Sequence, residues 1–237
     1  MSTVADFTER ELIARITTLL PPPPGWMAVG IGDDAAVVEP ERNRLEVLSV
    51  DALVEGIHFD RAFTPPGAIG HRALAANLSD LAAMGAEPRL CLLSLALPAS
   101  LPVADFDGMA GGIAALAARH RLHVAGGNLT RSPGPLVIDI TVVGTLKRRQ
   151  ILRRSGARPG DDLYVSGSIG AAAAGLGMLK ANGLAACTGE NPCVASYLYP
   201  EPRLRLGLLV ARRQAAHAGM DLSDGLALDL HRLCLAS

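Results

Sequence analysis

Leu74, Leu78, Leu81 and Met84 recur at helical spacing in a stretch closed by Gly85 and stopped by Pro88. The spacing predicts a helix over 67–85 with one face turned toward a core. One carboxylate, Asp80, lies in that stretch, and no residue from 73 to 86 is basic. A carboxylate withdrawn from water needs a counter-charge, so a fold built on this helix must bring one from a distant segment or from a metal ion. An exposed or capping Asp80 is the plainer alternative.

The segments around this helix set the class. Thr8 followed by Glu11 is a capping-box signature opening a helix with Leu12, Ile13, Ile16 and Leu19 on its apolar side, ended by the prolines at 21–24. Short β-rich pieces are predicted over 36–38 and 45–50, with Asp33-Asp34 before the first and Asp51 after the second, so both acidic sites are expected at strand ends. A strand over 90–97, a helix over 102–121, a strand over 123–125 and an alternating strand over 136–146 follow. This order suits an α+β layer architecture better than a doubly wound parallel sheet. The basic run at 147–149 and the turn at 157–161 divide the chain into an N-terminal unit, 1–147, and a C-terminal unit, 148–237. In the second, a strand is expected over 163–166, an Ala-rich helix over 170–181, a loop over 182–192, a helix over 203–218 and a final helix within 221–235. That unit has few strands and reads as incomplete.

Several functions are disfavoured by composition or by missing motifs. A net charge of −1 and 3% aromatic residues give neither the electrostatic footprint nor the stacking platforms of a nucleic-acid binder. The apolar run at 90–97 is too short to span a bilayer and the acidic N-terminus does not resemble a signal peptide, so a cytoplasmic location without membrane or nucleic-acid partners is expected. Cys91, Cys187, Cys193 and Cys234 have no zinc-ligand spacing. No P-loop occurs, Gly30-x-Gly32 with Ala35 would set two aspartates against a pyrophosphate, and Asp221 replaces the first glycine of a nucleophile elbow around Ser223.

What remains is a set of carboxylates in apolar or Gly-rich settings: Asp33-Asp34, Asp51, Asp80, Asp221 and Asp224. Brought together they would repel by roughly 4 kcal/mol per pair at about 4 Å, so a convergent cluster needs cations. Oxygen donors without Cys or His suit Mg²⁺ or Mn²⁺. On adjacent strand positions Asp33 and Asp34 would face opposite ways, so at most one reaches a common site. Gly126-Gly127-Asn128 with Arg131, and Arg153-Arg154, are candidate phosphate contacts, with an ordinary turn and exposed arginines as the alternatives. His58 is either a substrate contact or a loop histidine.

In combination, Gly30-Ile31-Gly32-Asp33-Asp34, Asp51-Ala52-Leu53-Val54-Glu55-Gly56-Ile57-His58-Phe59, the 77–88 stretch, Gly126-Gly127-Asn128-Leu129-Thr130-Arg131, the 154–161 turn and Met220-Asp221-Leu222-Ser223-Asp224-Gly225 resemble the thiamine-monophosphate kinase family over nearly the whole chain. The 54–59 and 77–88 strings separate that family from the related aminoimidazole ribonucleotide synthetases, selenophosphate synthetases and hydrogenase-maturation proteins. The resemblance implies an N-terminal mixed α+β domain that binds ATP and metal and whose sheet forms a dimer-spanning barrel, followed by an α/β C-terminal domain, here truncated. It implies ATP as co-substrate, several Mg²⁺ ions, a homodimer and phosphorylation of thiamine phosphate to thiamine diphosphate. By position it makes Asp34, Ser49, Asp51, Asp80, Asn128, Asp221 and Asp224 metal donors, Gly127, Asn128, Arg154 and Ser223 contacts to ATP, and His58 a contact to thiamine phosphate. No general base is implied, because the acceptor phosphate is already ionised at pH 7. Two departures stand out. Asn128-Leu129 replaces the family's Asp-Thr, which weakens one metal position by a charge, and family members continue beyond residue 237. The alternatives are a truncated, catalytically impaired member that dimerises and binds nucleotide, or another ATP-using enzyme of the superfamily.

Overall fold

The computed structural model describes residues 2–188 and 190–237, and its first helix is capped as its sequence predicts. In α1 (Glu9–Thr18) the Thr8 hydroxyl accepts the Glu11 N–H at 3.3 Å while the Glu11 carboxylate accepts the Thr8 N–H at 2.8 Å. Leu12 and Ile16 face inward. Beyond the prolines, β1 (Met27–Val29) pairs antiparallel with the two-residue β2 (Val37–Val38). Asp33 and Asp34 lie in the turn between them rather than on a strand, so the expected up-down alternation of their side chains does not apply.

The main sheet is built from β3 (Leu45–Val54), β4 (Glu87–Pro98), β5 (His123–Ser132) and β6 (Val137–Leu146), in the order β3-β6-β4-β5. Only β4 and β5 run parallel. β3 continues four residues past its expected end, because every residue to Val54 finds a partner on β6. Asp51 is therefore inside a strand, not after one. β5 likewise extends through the Gly-Gly segment, since β4 offers it partners as far as Pro98.

Two helices, α2 (Pro66–Met84) and α3 (Val103–Arg119), cover one face of this sheet. Gly70 sits against the Met109 carbonyl and Gly112 against that of Gly67, where any Cβ would collide with backbone. Small residues thus let the two helices cross closely. Leu74, Leu78 and Leu81 of α2 pack over Leu93 and Leu95 of β4 and Ile138, Ile140 and Val142 of β6, all buried. The other face is open: Leu48 is 67% exposed and Val50 57%. The mixed sheet with helices on one side is the α+β architecture expected. It is an open four-stranded sheet within one chain and does not close into a barrel.

After β6 the chain is helical. The strand expected over 163–166 does not form, because no described segment lies alongside to complete its ladder, and Leu163, Tyr164 and Val165 are exposed. α4 (Ala171–Asn182) is followed by a 3-10 turn (Gly183–Thr188) and by α5 (Pro192–Leu198), where a loop was expected. The missed start has a clear local cause: Asn191 caps the N–H groups of Cys193 and Val194 at 2.9 and 3.3 Å, with Pro192 in the first turn. α6 (Leu204–Arg213) ends early at Gln214, which adopts a left-handed conformation at φ 51°. α7 (Leu226–Ala236) closes the chain. α6 lies directly on α2, with Gly207 against the Ala82 carbonyl, and Ala68 of α2 joins Leu179, Val194, Tyr197 and Leu198 in a second core cluster. Both halves of the chain therefore rest on the same helix. All four cysteines are free, and burial pushes the Cys91 thiol up to about 12, which keeps it unreactive.

Candidate functional site

The register of β3 points Ser49 and Asp51 toward α2, in the rows of the buried Val142 and Ile140. Across from them on α2 stands Asp80, whose carboxylate accepts a hydrogen bond from the Ser49 hydroxyl. Asn77, one turn earlier and fully buried, ties the two elements together. Its side-chain oxygen accepts the Asp51 N–H at 3.1 Å, and its NH₂ donates to the Ala73 carbonyl at 3.0 Å. Because β3 is a sheet edge, an outward N–H there has no strand partner and needs a side chain to accept it. Asn77 was not singled out from sequence, yet the signal was present: it interrupts the apolar face between Leu74 and Leu78.

The C-terminal half supplies a third carboxylate. Ser79 of α2 donates to Asp221 at 3.3 Å, which brings the loop before α7 onto the end of α2. Burial, then the charges of Asp80 and Asp221, hold the Asp51 carboxyl above its ordinary range, with His58 acting in the opposite direction. Burial and Asp80 do the same to Asp221, against which the Arg154 guanidinium acts weakly. Asp51, Asp80 and Asp221 are thus close enough to feel one another across the two halves, and the counter-charge that Asp80 lacks locally is not made up by any ion pair to it among the described residues. The excess is negative.

Other sequence candidates stand apart. Asp34 is exposed in its turn, its amide bonded to the Asp33 carboxylate at 2.9 Å. Asn128 shares a row with Ser94, Asp139 and Ala52 on the open face of the sheet, opposite to the face that carries Asp51. Gly127 lies in the Asp51 row, where a side chain would strike the Leu93 backbone, so glycine is required for β5 to approach β4 there. Ser223 and Asp224 are exposed, and Asp224 pairs with Arg232. His58 accepts the Val54 N–H at its Nδ1, 3.0 Å away, which leaves Nε2 as the ring's donor. Arg72 of α2, over the ring of Tyr197, donates to the His58 carbonyl at 3.4 Å and to that of Tyr197, and so links the His58 turn to α5.

Among the described residues no three His, Cys, Asp or Glu side chains are placed to ligate a single ion. The donor chemistry nevertheless fits a hard divalent cation: hydroxyl and carboxylate oxygens only, with carboxyl groups that raise one another's proton affinity. Only with such cations bound could these carboxylates face polyanionic ligands, since by themselves they repel them.

The chain is similar to proteins of a known family. Residues 32–146 match the family description AIR synthase related protein, N-terminal domain. A thiamine-monophosphate kinase of Synechococcus elongatus is 41% identical over 211 residues, covering 87% of this chain and 64% of that protein. The chain thus spans less than two thirds of the length of that relative. A crystal structure of thiamine-monophosphate kinase from Stenotrophomonas maltophilia is 38% identical with a TM-score of 0.82, over 100% of this chain and 73% of that one. AaThiL complexed with AMPPCP and TMP is 32% identical with a TM-score of 0.75, over 100% of this chain and 72% of that one.

Proposed function

The chain belongs to the thiamine-monophosphate kinase family, and on that premise we propose that it transfers the γ-phosphoryl group of ATP to thiamine phosphate, giving thiamine diphosphate and ADP. The observation that carries the reading is that Asp80, bonded by Ser49, and Asp221, bonded by the neighbouring Ser79, lie near enough to Asp51 to raise its proton affinity, a shortage of positive charge at the junction of the two halves. AMPPCP is an ATP analogue, and its presence with TMP on a protein of the same fold supports both ligands.

The residues divide the work by chemistry. Several Mg²⁺ ions, shared out among Asp51, Asp80, Asp221 and Ser49 on one side and Asp34, Asp224 and Asn128 elsewhere rather than gathered on one ion, would supply charge neutralisation for the two anions. Arg154, Ser223, Asn128 and the backbone at Gly127 contact the nucleotide. His58 offers its Nε2–H to the thiamine phosphate. The acceptor phosphate needs no base, so the chain's task is alignment, and transfer is in line and direct. Label from γ-³²P ATP therefore does not remain on protein. We assign 1–147 as the nucleotide, metal and dimerisation unit and 148–237 as the C-terminal unit. The open apolar sheet face, with Leu48, Val50 and Leu92 exposed, supports a homodimer whose two sheets close a barrel, checked by sedimentation. The ATP supply puts the reaction in the cytoplasm.

The test is a coupled assay for thiamine diphosphate with Mg²⁺ on this chain, Asn128→Asp and Asp80→Ala. Activity in the first two, and a fall of at least about 100-fold in the third, is expected. No product from either of the first two, or full activity of Asp80→Ala, overturns the reading. A second reading, a member that dimerises and binds nucleotide without turnover, draws on Asn128, which puts a neutral amide where the family has a carboxylate. Activity restored only in Asn128→Asp would select it.

A further inference from the structure

Asp229 is a charged residue with no exposed surface, and nothing in the proposed reaction uses it. It lies in the first turn of α7, whose N-cap is Gly225, a residue with no side chain to cap with and a backbone at φ 107° that favours glycine. The carboxylate of Asp229 does the capping from inside the helix. Its Oδ2 accepts the N–H groups of Ser223, Asp224 and Gly225 at 3.0, 3.0 and 3.1 Å. The other oxygen accepts from Arg232 at 3.1 Å, and Arg232 also pairs with Asp224.

Three successive backbone N–H groups aimed at one point make the kind of concavity that otherwise binds a free anion. Here the protein's own carboxylate fills it, and a buried charge with four hydrogen bonds is well satisfied. Removing it would leave three converging donors unpaired and the turn without a reason to keep its shape. The turn carries Ser223 and Asp224, and Asp221 lies just before it.

Resting on the function proposed above, we propose that Asp229 is a positioning residue for the nucleotide and metal site: it touches neither ligand but sets the 221–225 turn that presents Asp221, Ser223 and Asp224 to them. A purely structural cap on α7 would stabilise the helix without altering ligand affinity, which separates the two roles.

The experiment uses the full chain with Asp229→Ala, Asp229→Asn and, as a control in the same helix, Leu230→Ala. Amide hydrogen exchange at 223–225 and calorimetric affinity for Mg²⁺ with AMPPCP are measured on each. In Asp229→Ala those amides exchange at least about tenfold faster and affinity falls by at least about tenfold, the scale of one charge-assisted hydrogen bond. Asp229→Asn, which keeps one acceptor oxygen and folds more readily, shows smaller shifts in the same direction. Leu230→Ala changes neither beyond its effect on global stability. Unchanged exchange in Asp229→Ala, faster exchange with unchanged affinity, or an equal loss of affinity in Leu230→Ala overturns the proposal. Failure of the unsubstituted chain to bind Mg²⁺ with AMPPCP would instead fell the function reading, and exchange alone would then decide whether Asp229 sets the turn.

Discussion

Asp51 and Asp80 owe their positions mainly to packing, whereas Asp221 and Asp224 are held by a few hydrogen bonds made by side chains to the segment before α7. The first pair sits on β3 and α2, which face each other across a core of Leu74, Leu78, Leu81, Ile138 and Ile140. Asp224 sits in a turn held by Asp229 and Arg232, and Asp221, just before it, is tied to α2 by the Ser79 hydroxyl. A packed helix and strand move as one body, since their positions are fixed by many small contacts at once. A turn fixed by a few hydrogen bonds can open locally at much lower cost. The two pairs of carboxylates are therefore held in different ways, one by packing and one by a few hydrogen bonds.

Substitutions can break or sharpen that contrast. The largest expected effect is that of Gly70→Ala, which drives a methyl into the Met109 carbonyl at the α2–α3 crossing and should cost about 3 kcal/mol, read as a lower urea midpoint at unchanged slope. If the first region is held by packing, Asp51 and Asp80 lose their setting together with the fold. Asn77→Ala comes next, at about 1–3 kcal/mol, because it leaves the Asp51 N–H and the Ala73 carbonyl without their partner. A midpoint indistinguishable from the parent chain would show that water replaces the amide and that the edge of β3 is less enclosed than its geometry indicates.

Charge gives a subtler handle. Asp51 and Asp221 have carboxyl groups whose proton affinity is raised on folding, so the folded chain holds protons that the unfolded chain releases above about pH 3.9. Their contribution to stability is accordingly lost as pH rises from that value through the raised ones, and above both they remain a net cost. Asp51→Asn should raise the melting temperature by about 2 °C at pH 8 and leave it unchanged at pH 3. Mg²⁺ should raise the melting temperature of the parent chain more at pH 8 than at pH 4.5. Equal effects at the two pH values would mean that the carboxylates do not share the ion. Ser79→Ala is the mildest change, about 0.5 kcal/mol, since its bond to Asp221 is long; its use is to ask, by exchange at 221–225, whether the turn is tethered to α2 or only rests there.

What could be read without coordinates followed from local rules. Apolar spacing located α2, an uninterrupted Ala-rich run located α3, a capping box located the start of α1, and a local signal at Asn191-Pro192 was there to be read for α5. The motifs also supplied the family and the acidic candidates. Three matters depended on partners distant in sequence. The 163–166 segment has strand composition but no neighbour to pair with, β3 runs past Asp51 because β6 is long enough to match it, and Asn128 falls on the opposite face from Asp51 because of how β5 registers on β4. Asp229 lies between the two cases: the partners of its carboxylate are only three to six residues away, at 223–225 and 232, but its full burial comes from the assembled chain. Local energies act along the chain and can be read from it, whereas strand register and the burial of a charge depend on contacts that only the assembled chain creates.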